Sequence, residues 1–203
     1  MSPGRTPLVR YAHGGGWSRG TRSDDSATRL APLAAHSLTV VSGDYRAAPE
    51  AAFPQPLHDL KGAVRWLRAR GPELGLPTTR IGVGGASAGA DPTSLLALSE
   101  GDSDLEGTVG ATDPDELAER ARGLSLLTRV SAQAPPFLIT HGDRDRIVPP
   151  SEGLALHQAL GRAGARSRFE LLAGAGHEDP EFDSPATLAT TAARLRAVPD
   201  PAP

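Results

Sequence analysis

The chain has 203 residues, 38% of them hydrophobic and 22% charged, which fits one globular unit with a modest core. No run of apolar residues is long enough to cross a membrane, and the absence of Cys excludes disulfide scaffolds, thiol catalysis and thiolate zinc sites. The formal charge is −3, and the 21 basic residues are scattered rather than interleaved with aromatics, so nothing points to nucleic acid.

Short apolar runs alternate with helical stretches, the pattern of a mainly parallel sheet covered by helices. Met1 to Arg10 contains no apolar leader segment, so the expected compartment is the cytoplasm. The spacing predicts strands at Pro7–Ala12, Leu38–Ser42, Arg80–Gly84, Pro136–Thr140 and Arg168–Leu172. After the second strand, Leu60, Val64 and Leu67 form a stripe at helical spacing, with Ala63 and Trp66 beside it. Glu100 to Asp104 reads as an exposed loop, and Asp113-Pro114-Asp115-Glu116 as a capped helix start. Gly123 to Val130 fits a strand or a helical turn, and its periodicity does not separate them. Leu154, Leu156 and Leu160 mark a helix after Pro149-Pro150, and Leu188 to Leu195 a last one. The expected organisation is a single domain over residues 1–197, followed by a Pro-rich tail from Val198 to Pro203.

Four segments carry chemistry. His13-Gly14-Gly15-Gly16-Trp17 follows the first strand, and its glycines let backbone N–H groups converge on one point. Such a cluster can hold an oxyanion as its charge develops. Gly85-Ala86-Ser87-Ala88-Gly89 follows the third strand, and its small residues permit a sharp strand-to-helix turn that exposes the serine hydroxyl. His141-Gly142-Asp143-Arg144-Asp145 ends the fourth strand, where either carboxylate could orient a histidine. Gly174-Ala175-Gly176-His177-Glu178 lies just beyond the fifth strand and completes the order Ser, Asp, His. The other histidines have structural readings: His13 holds its loop, His36, His58 and His157 lie on helical segments, and His141 packs beside the acid loop. No spacing among them suits a metal, so neither metal nor cofactor is expected.

Together these segments resemble the α/β-hydrolase superfamily, in particular compact carboxylesterases similar to feruloyl and acetylxylan esterases and to hormone-sensitive-lipase-like esterases. Asp44-Tyr45-Arg46-Ala47-Ala48-Pro49-Glu50, Phe53-Pro54, His58-Asp59-Leu60 running into Trp66-Leu67, and Ala134-Pro135-Pro136-Phe137 through Val148-Pro149 extend the likeness from Pro7 to Glu178. The resemblance implies Ser87 as nucleophile, His177 as general base and acid, and Asp145 rather than Asp143 as the orienting acid. It implies an oxyanion hole from the N–H groups of Gly15, Gly16 and Ala88, with Trp17 beside the substrate. The implied function is hydrolysis of small or aryl carboxylic esters, with a small-molecule ester as partner. Two alternatives stay open: a hydrolase-fold remnant that binds a ligand or partner without turnover, and a serine amidase or peptidase on the same triad.

The sequence also departs from the family. Its first strand corresponds to the family's third, so the N-terminal hairpin is missing and the bare sheet edge would invite pairing into a homo-oligomer. Only 58 positions separate Ser87 from Asp145, and the lost segment would hold one central strand. A gap of one strand spacing should pull Asp145 and His177 about 5 Å from Ser87 unless Gly123–Val130 fills it or the sheet closes up. Ala90-Asp91-Pro92 puts a proline and a carboxylate just after the serine turn. The carboxylate would raise the histidine's pKa and repel acidic substrates.

Overall fold

The structure, a computed structural model, describes residues 6–99 and 125–198. Five strands are present among the described residues, and each falls on a strand expected from the sequence: β1 (Leu8–Ala12), β2 (Thr39–Ser42), β3 (Ile81–Gly85), β4 (Phe137–Gly142) and β5 (Ser167–Leu172). All their pairings are parallel, but they form two sheets, β2-β1-β3 and β4-β5. The helix start expected at Asp113–Glu116 and the loop at Glu100–Asp104 lie outside the described residues, as do residues 199–203 of the tail.

β1 is buried along its whole length because it is the middle strand and both of its faces are covered. Ala12 packs with Tyr45 and Leu60 of α2 (Gln55–Arg70), and Leu96 of α3 (Ala90–Leu98) adds to this layer. The register pairs Val9 with Val40, and Val40 packs on the opposite layer. That layer is made by Leu33 of α1 (Ala31–Ala35), Leu38, and Leu188, Ala192 and Leu195 of the last helix. In α2 the buried positions are Leu57, Leu60 and Leu67, with Arg68 and Arg70 in the last turn, where cations suit the helix dipole. Trp66 departs from the expected stripe: it is 53% exposed, one helical step off the buried line.

The second sheet packs on α4 (Pro150–Arg162), whose Leu156 and Leu160 bury with Ala165 against Phe137 and Ile139. Leu154 lies outside that core and is 39% exposed. The described part of the ambiguous Gly123–Val130 segment is a helical turn, Leu126–Thr128, and not a strand. Leu126 packs both on the Leu57–Leu95 cluster and on the α4 cluster, and Leu98 also reaches the latter. Side chains therefore join the two sheets among the described residues. The last helix, α5 (Pro185–Arg196), starts on Ser184, whose hydroxyl accepts from the Thr187 amide at 3.2 Å. It returns the chain to the first sheet: Arg196 donates to the His36 carbonyl, and Arg80 Nη1 donates to the Val198 carbonyl at 2.7 Å. His36 itself caps the end of α1 rather than lying within a helix. No helix among the described residues is long and apolar enough to cross a membrane.

Arg10 breaks the apolar pattern of β1. Its side chain is buried, Nη2 donates to the Gly43 carbonyl at 3.0 Å, and Nε and Nη1 have no hydrogen-bond partner. Burial lowers its pKa to about 10, against the partial compensation of the charges at Tyr45, Asp44 and Asp59. A buried charged group with two unmatched donors costs more than an apolar side chain of similar length. Arg10→Met is therefore expected to raise the unfolding free energy by about 1–3 kcal/mol. Urea denaturation checks this: the midpoint should rise at an unchanged slope, and a lower midpoint would show that the guanidinium stabilises the fold.

Candidate active site

The register places the ends of β1 and β3 side by side, Ala12 opposite Gly85, so the loops that follow them leave the sheet at one edge. The Ala86 amide continues the pairing by donating to the Ala12 carbonyl at 3.2 Å. Ser87 then adopts φ 45°, a left-handed conformation unusual for a residue with a side chain, and begins a tight turn, Ser87–Gly89, that runs into α3. The turn presses against the glycine loop: a Cβ on Gly89 would sit 2.4 Å from the carbonyl oxygens of Ala12 and His13. Pro92 falls in the first turn of α3, where its missing N–H costs little, and Asp91 is exposed beside it.

The glycine loop is held from beneath. His13 is buried, stacks on Tyr45 with ring centroids 4.6 Å apart, and makes a 2.8 Å contact from Nδ1 to the Gly14 carbonyl. The Tyr45 hydroxyl donates to the His13 carbonyl at 2.8 Å. Beyond it, Gly15 has φ 127°, and a Cβ there would lie 2.0 Å from the Arg19 carbonyl oxygen, so only glycine fits this turn. Gly16 follows at φ 60° with open space around it, and Trp17 at φ 58° is 52% exposed. Ala88, the third residue of the expected oxyanion hole, is buried in the serine turn. A cavity of about 220 Å³ opens beside the loop, lined by Gly14, Gly15, Arg19, Gly20, Asp24, Asp25 and Glu178.

The second sheet supplies the other groups. Pairing of β4 with β5 continues past their ends: the Asp143 amide donates to the Leu172 carbonyl at 3.1 Å, and the Arg144 amide to the Ala175 carbonyl at 2.9 Å. Asp143 Oδ1 accepts from the Gly174 amide at 2.7 Å, so this carboxylate shapes the histidine loop and does not face the ring. Asp145 does: its Oδ2 accepts from His177 Nδ1 at 2.7 Å, while Oδ1 accepts from the amides of Ile147 and Val148 at 2.8 and 2.9 Å. Burial works to raise the Asp145 pKa, but the hydrogen bonds from His177, Val148 and Ile147 outweigh it and hold the carboxyl below the usual range. His141 Nε2 approaches the Val148 carbonyl at 2.9 Å and lies 3.4 Å from Asp145 Oδ2.

His177 Nε2 lies 2.8 Å from Ser87 Oγ. The expected displacement of about 5 Å is therefore absent, although β3 and β4 are not paired among the described residues. That expectation assumed a continuous ladder in which a lost strand leaves a gap of fixed width. Among the described residues, Leu98 and Leu126 pack across from the first sheet onto the cluster of the second. A serine, an imidazole and a carboxylate in hydrogen-bonded sequence can activate a hydroxyl as a nucleophile.

A group that the sequence reading left without a role surrounds Arg29, which lies just before α1. Arg29 Nε donates to Asp183 Oδ1 at 2.6 Å and Nη1 to the Tyr11 hydroxyl at 2.7 Å, and Tyr11 donates to Asp25 Oδ2 at 2.8 Å. Arg29 Nη1 is also 3.8 Å from Glu178 Oε1. No periodicity links these residues. The only local signal is Glu178 itself, directly after His177 and at φ 54°.

The BD-FAE family matches residues 1–122, and the prolyl oligopeptidase family matches residues 102–195. Esterase LipC of Mycobacterium tuberculosis is 30% identical over 212 residues, covering 84% of this chain and 52% of its own. The chain spans about half or less of the length of the curated relatives it matches. Among solved structures, a truncated form of a carbohydrate esterase from gut microbiota superimposes with a TM-score of 0.85 at 21% identity, covering 96% of this chain and 86% of that one. A thermophilic esterase of Thermogutta terrifontis with propionate bound gives 0.80 at 22% identity, covering 100% and 88%. The fold is thus shared along nearly all of the chain and the first match takes in more than half of it: the chain has the α/β-hydrolase fold and belongs to the BD-FAE family.

Proposed function

We propose that the chain is a serine carboxylic ester hydrolase acting on small or aryl esters. The observation that carries this reading is the unbroken hydrogen-bonded line from Ser87 Oγ through His177 to Asp145, at 2.8 and 2.7 Å, across two sheets that share no strand pair among the described residues. Relatives named as esterases support the same reaction class.

In this reading His177 Nε2 takes the Ser87 proton as Oγ attacks the ester carbonyl carbon. The tetrahedral oxyanion receives hydrogen bonds from the N–H groups of Gly15, Gly16 and Ala88. His177 then protonates the departing alcohol, and Ser87 is left acylated. A water molecule gives its proton to His177, attacks the acyl carbon, and the acid leaves as the proton returns to Ser87. Asp145 stays ionised throughout, fixing the ring with Nδ1–H towards the carboxylate and stabilising the imidazolium. Trp17, exposed at the loop, offers an aromatic face to the substrate. The prolyl oligopeptidase match over residues 102–195 keeps amide substrates as a second reading, which parallel assays on an ester and its amide analogue would separate.

Hydrolysis of p-nitrophenyl acetate and butyrate tests the proposal: Ser87→Ala should lower kcat/KM by about 10⁴-fold or more with circular dichroism unchanged. Retained turnover would overturn it. Asp145 supplies a pH test of stability. Its folded pKa lies below the unfolded value, so its contribution is full above the unfolded pKa near 4 and is lost as pH falls through the folded value. The stability advantage of the native chain over Asp145→Asn, measured by thermal unfolding, should therefore be largest near neutrality and shrink progressively below about pH 4.

A further inference from the structure

The hydrogen bond between Ser87 and His177 joins two sheets that, among the described residues, are bridged by side-chain contacts. The apolar contacts of Leu98 and Leu126 with the α4 cluster fix the sheets. The last helix adds the apolar contacts of Leu188 and Ala192 with Leu33 and Leu38, and a polar group centred on Arg29 adds to them next to the His177 loop. The Arg29 side chain is only 11% exposed, so its interactions are poorly screened by salt. Through Asp183 and Glu178 it holds both ends of the segment that follows His177. Through Tyr11 it holds β1, the strand that feeds the glycine loop. Glu178 touches that loop directly: a Cβ on Gly14 would lie 2.9 Å from Glu178 Oε2.

We propose that Arg29 is a positioning residue for this reaction, registering the His177 loop against β1 and the Gly14–Gly16 loop through Asp183, Glu178 and Tyr11. The proposal rests on the serine-hydrolase reading above. The guanidinium suits the task because its planar fork can address groups in several directions at once, which a lysine ammonium on a flexible stem does not reproduce. Arg29 forms no hydrogen bond or ion pair with Ser87 or His177, so its effect passes through the placement of His177 against the glycine loop. Misplacement of a catalytic group by about 1 Å can cost about 100-fold in rate.

The test compares the full chain with Arg29→Met and Arg29→Lys, using p-nitrophenyl acetate and the NMR signal of the proton shared by His177 Nδ1 and Asp145. Arg29→Met should lower kcat about 10–100-fold with KM changed less than about twofold, and broaden or shift the shared-proton signal, while circular dichroism stays native. Arg29→Lys should restore less than half of the lost rate. In a His177→Ala background Arg29→Met should cost far less than in the native chain, because residues acting through one group are not additive. An equal loss in that background, or an unchanged kcat with an unchanged proton signal, would overturn the proposal. Should Arg29→Met fail to fold, Asp183→Ala, which removes the acceptor of the Nε hydrogen bond, carries the same comparisons. A wild-type chain that hydrolyses no ester sinks the functional reading alone. The shared proton then decides: a signal that moves in Arg29→Met sustains the positioning role, and a signal that is absent or unmoved ends it.

Discussion

Everything distinctive about this molecule depends on one contact, the 2.8 Å approach of His177 Nε2 to Ser87 Oγ. The serine rides on β3 of a three-stranded sheet, whereas the histidine and its carboxylate ride on β4 and β5. Among the described residues no backbone ladder ties those sheets together, so the contact is held by what packs around it. Leu126 belongs to two apolar clusters at once, one on each side of the divide. Arg29 makes polar contacts across the same divide, to Tyr11 on one side and Asp183 on the other. Burying a leucine is worth about 1.5–3 kcal/mol, and a hydrogen bond to a charged group about as much, so a few side chains can replace a short stretch of ladder.

This division of labour explains the character of the two pairs of loops that meet at the site. The serine turn and the glycine loop belong to the same sheet, and their closeness is backbone against backbone, with Gly89 wedged under Ala12 and His13. The acid and histidine loops likewise share a sheet and are zipped by main-chain hydrogen bonds beyond β4 and β5. Each pair is rigid internally. Tyr45 adds to the first pair by stacking under His13 and donating to its carbonyl.

The sequence revealed what local pattern can encode. Each of the five strands is a short run with a turn signal behind it, and Ser87, Asp145 and His177 each follow such a run. The choice of Asp145 over Asp143 came from the resemblance, and the contacts agree: one carboxylate meets the ring and the other a backbone amide. What stayed hidden was not periodic. Arg29 and Asp183 are 154 positions apart, and nothing in either neighbourhood marks them as partners. Trp66 sits next to Leu67 in sequence, but one residue along a helix is a rotation of about 100°, enough to turn a large aromatic outward. Whether a gap at the lost strand is filled or closed up could not be read from the sequence either, because the contacts that bridge the two sheets among the described residues are side chains far apart in the chain.

The placement of α5 also bears on how the chain is made. Among the described residues, Leu33, Leu38 and Val40 pack in one cluster with Leu188, Ala192 and Leu195, which come off the ribosome roughly 150 residues later. At about 5–20 residues per second, that apolar layer of the first sheet stands bare for several seconds or longer during synthesis. The nascent chain in that interval presents the kind of surface that chaperones bind, and the serine turn exists before the helix that completes its own sheet.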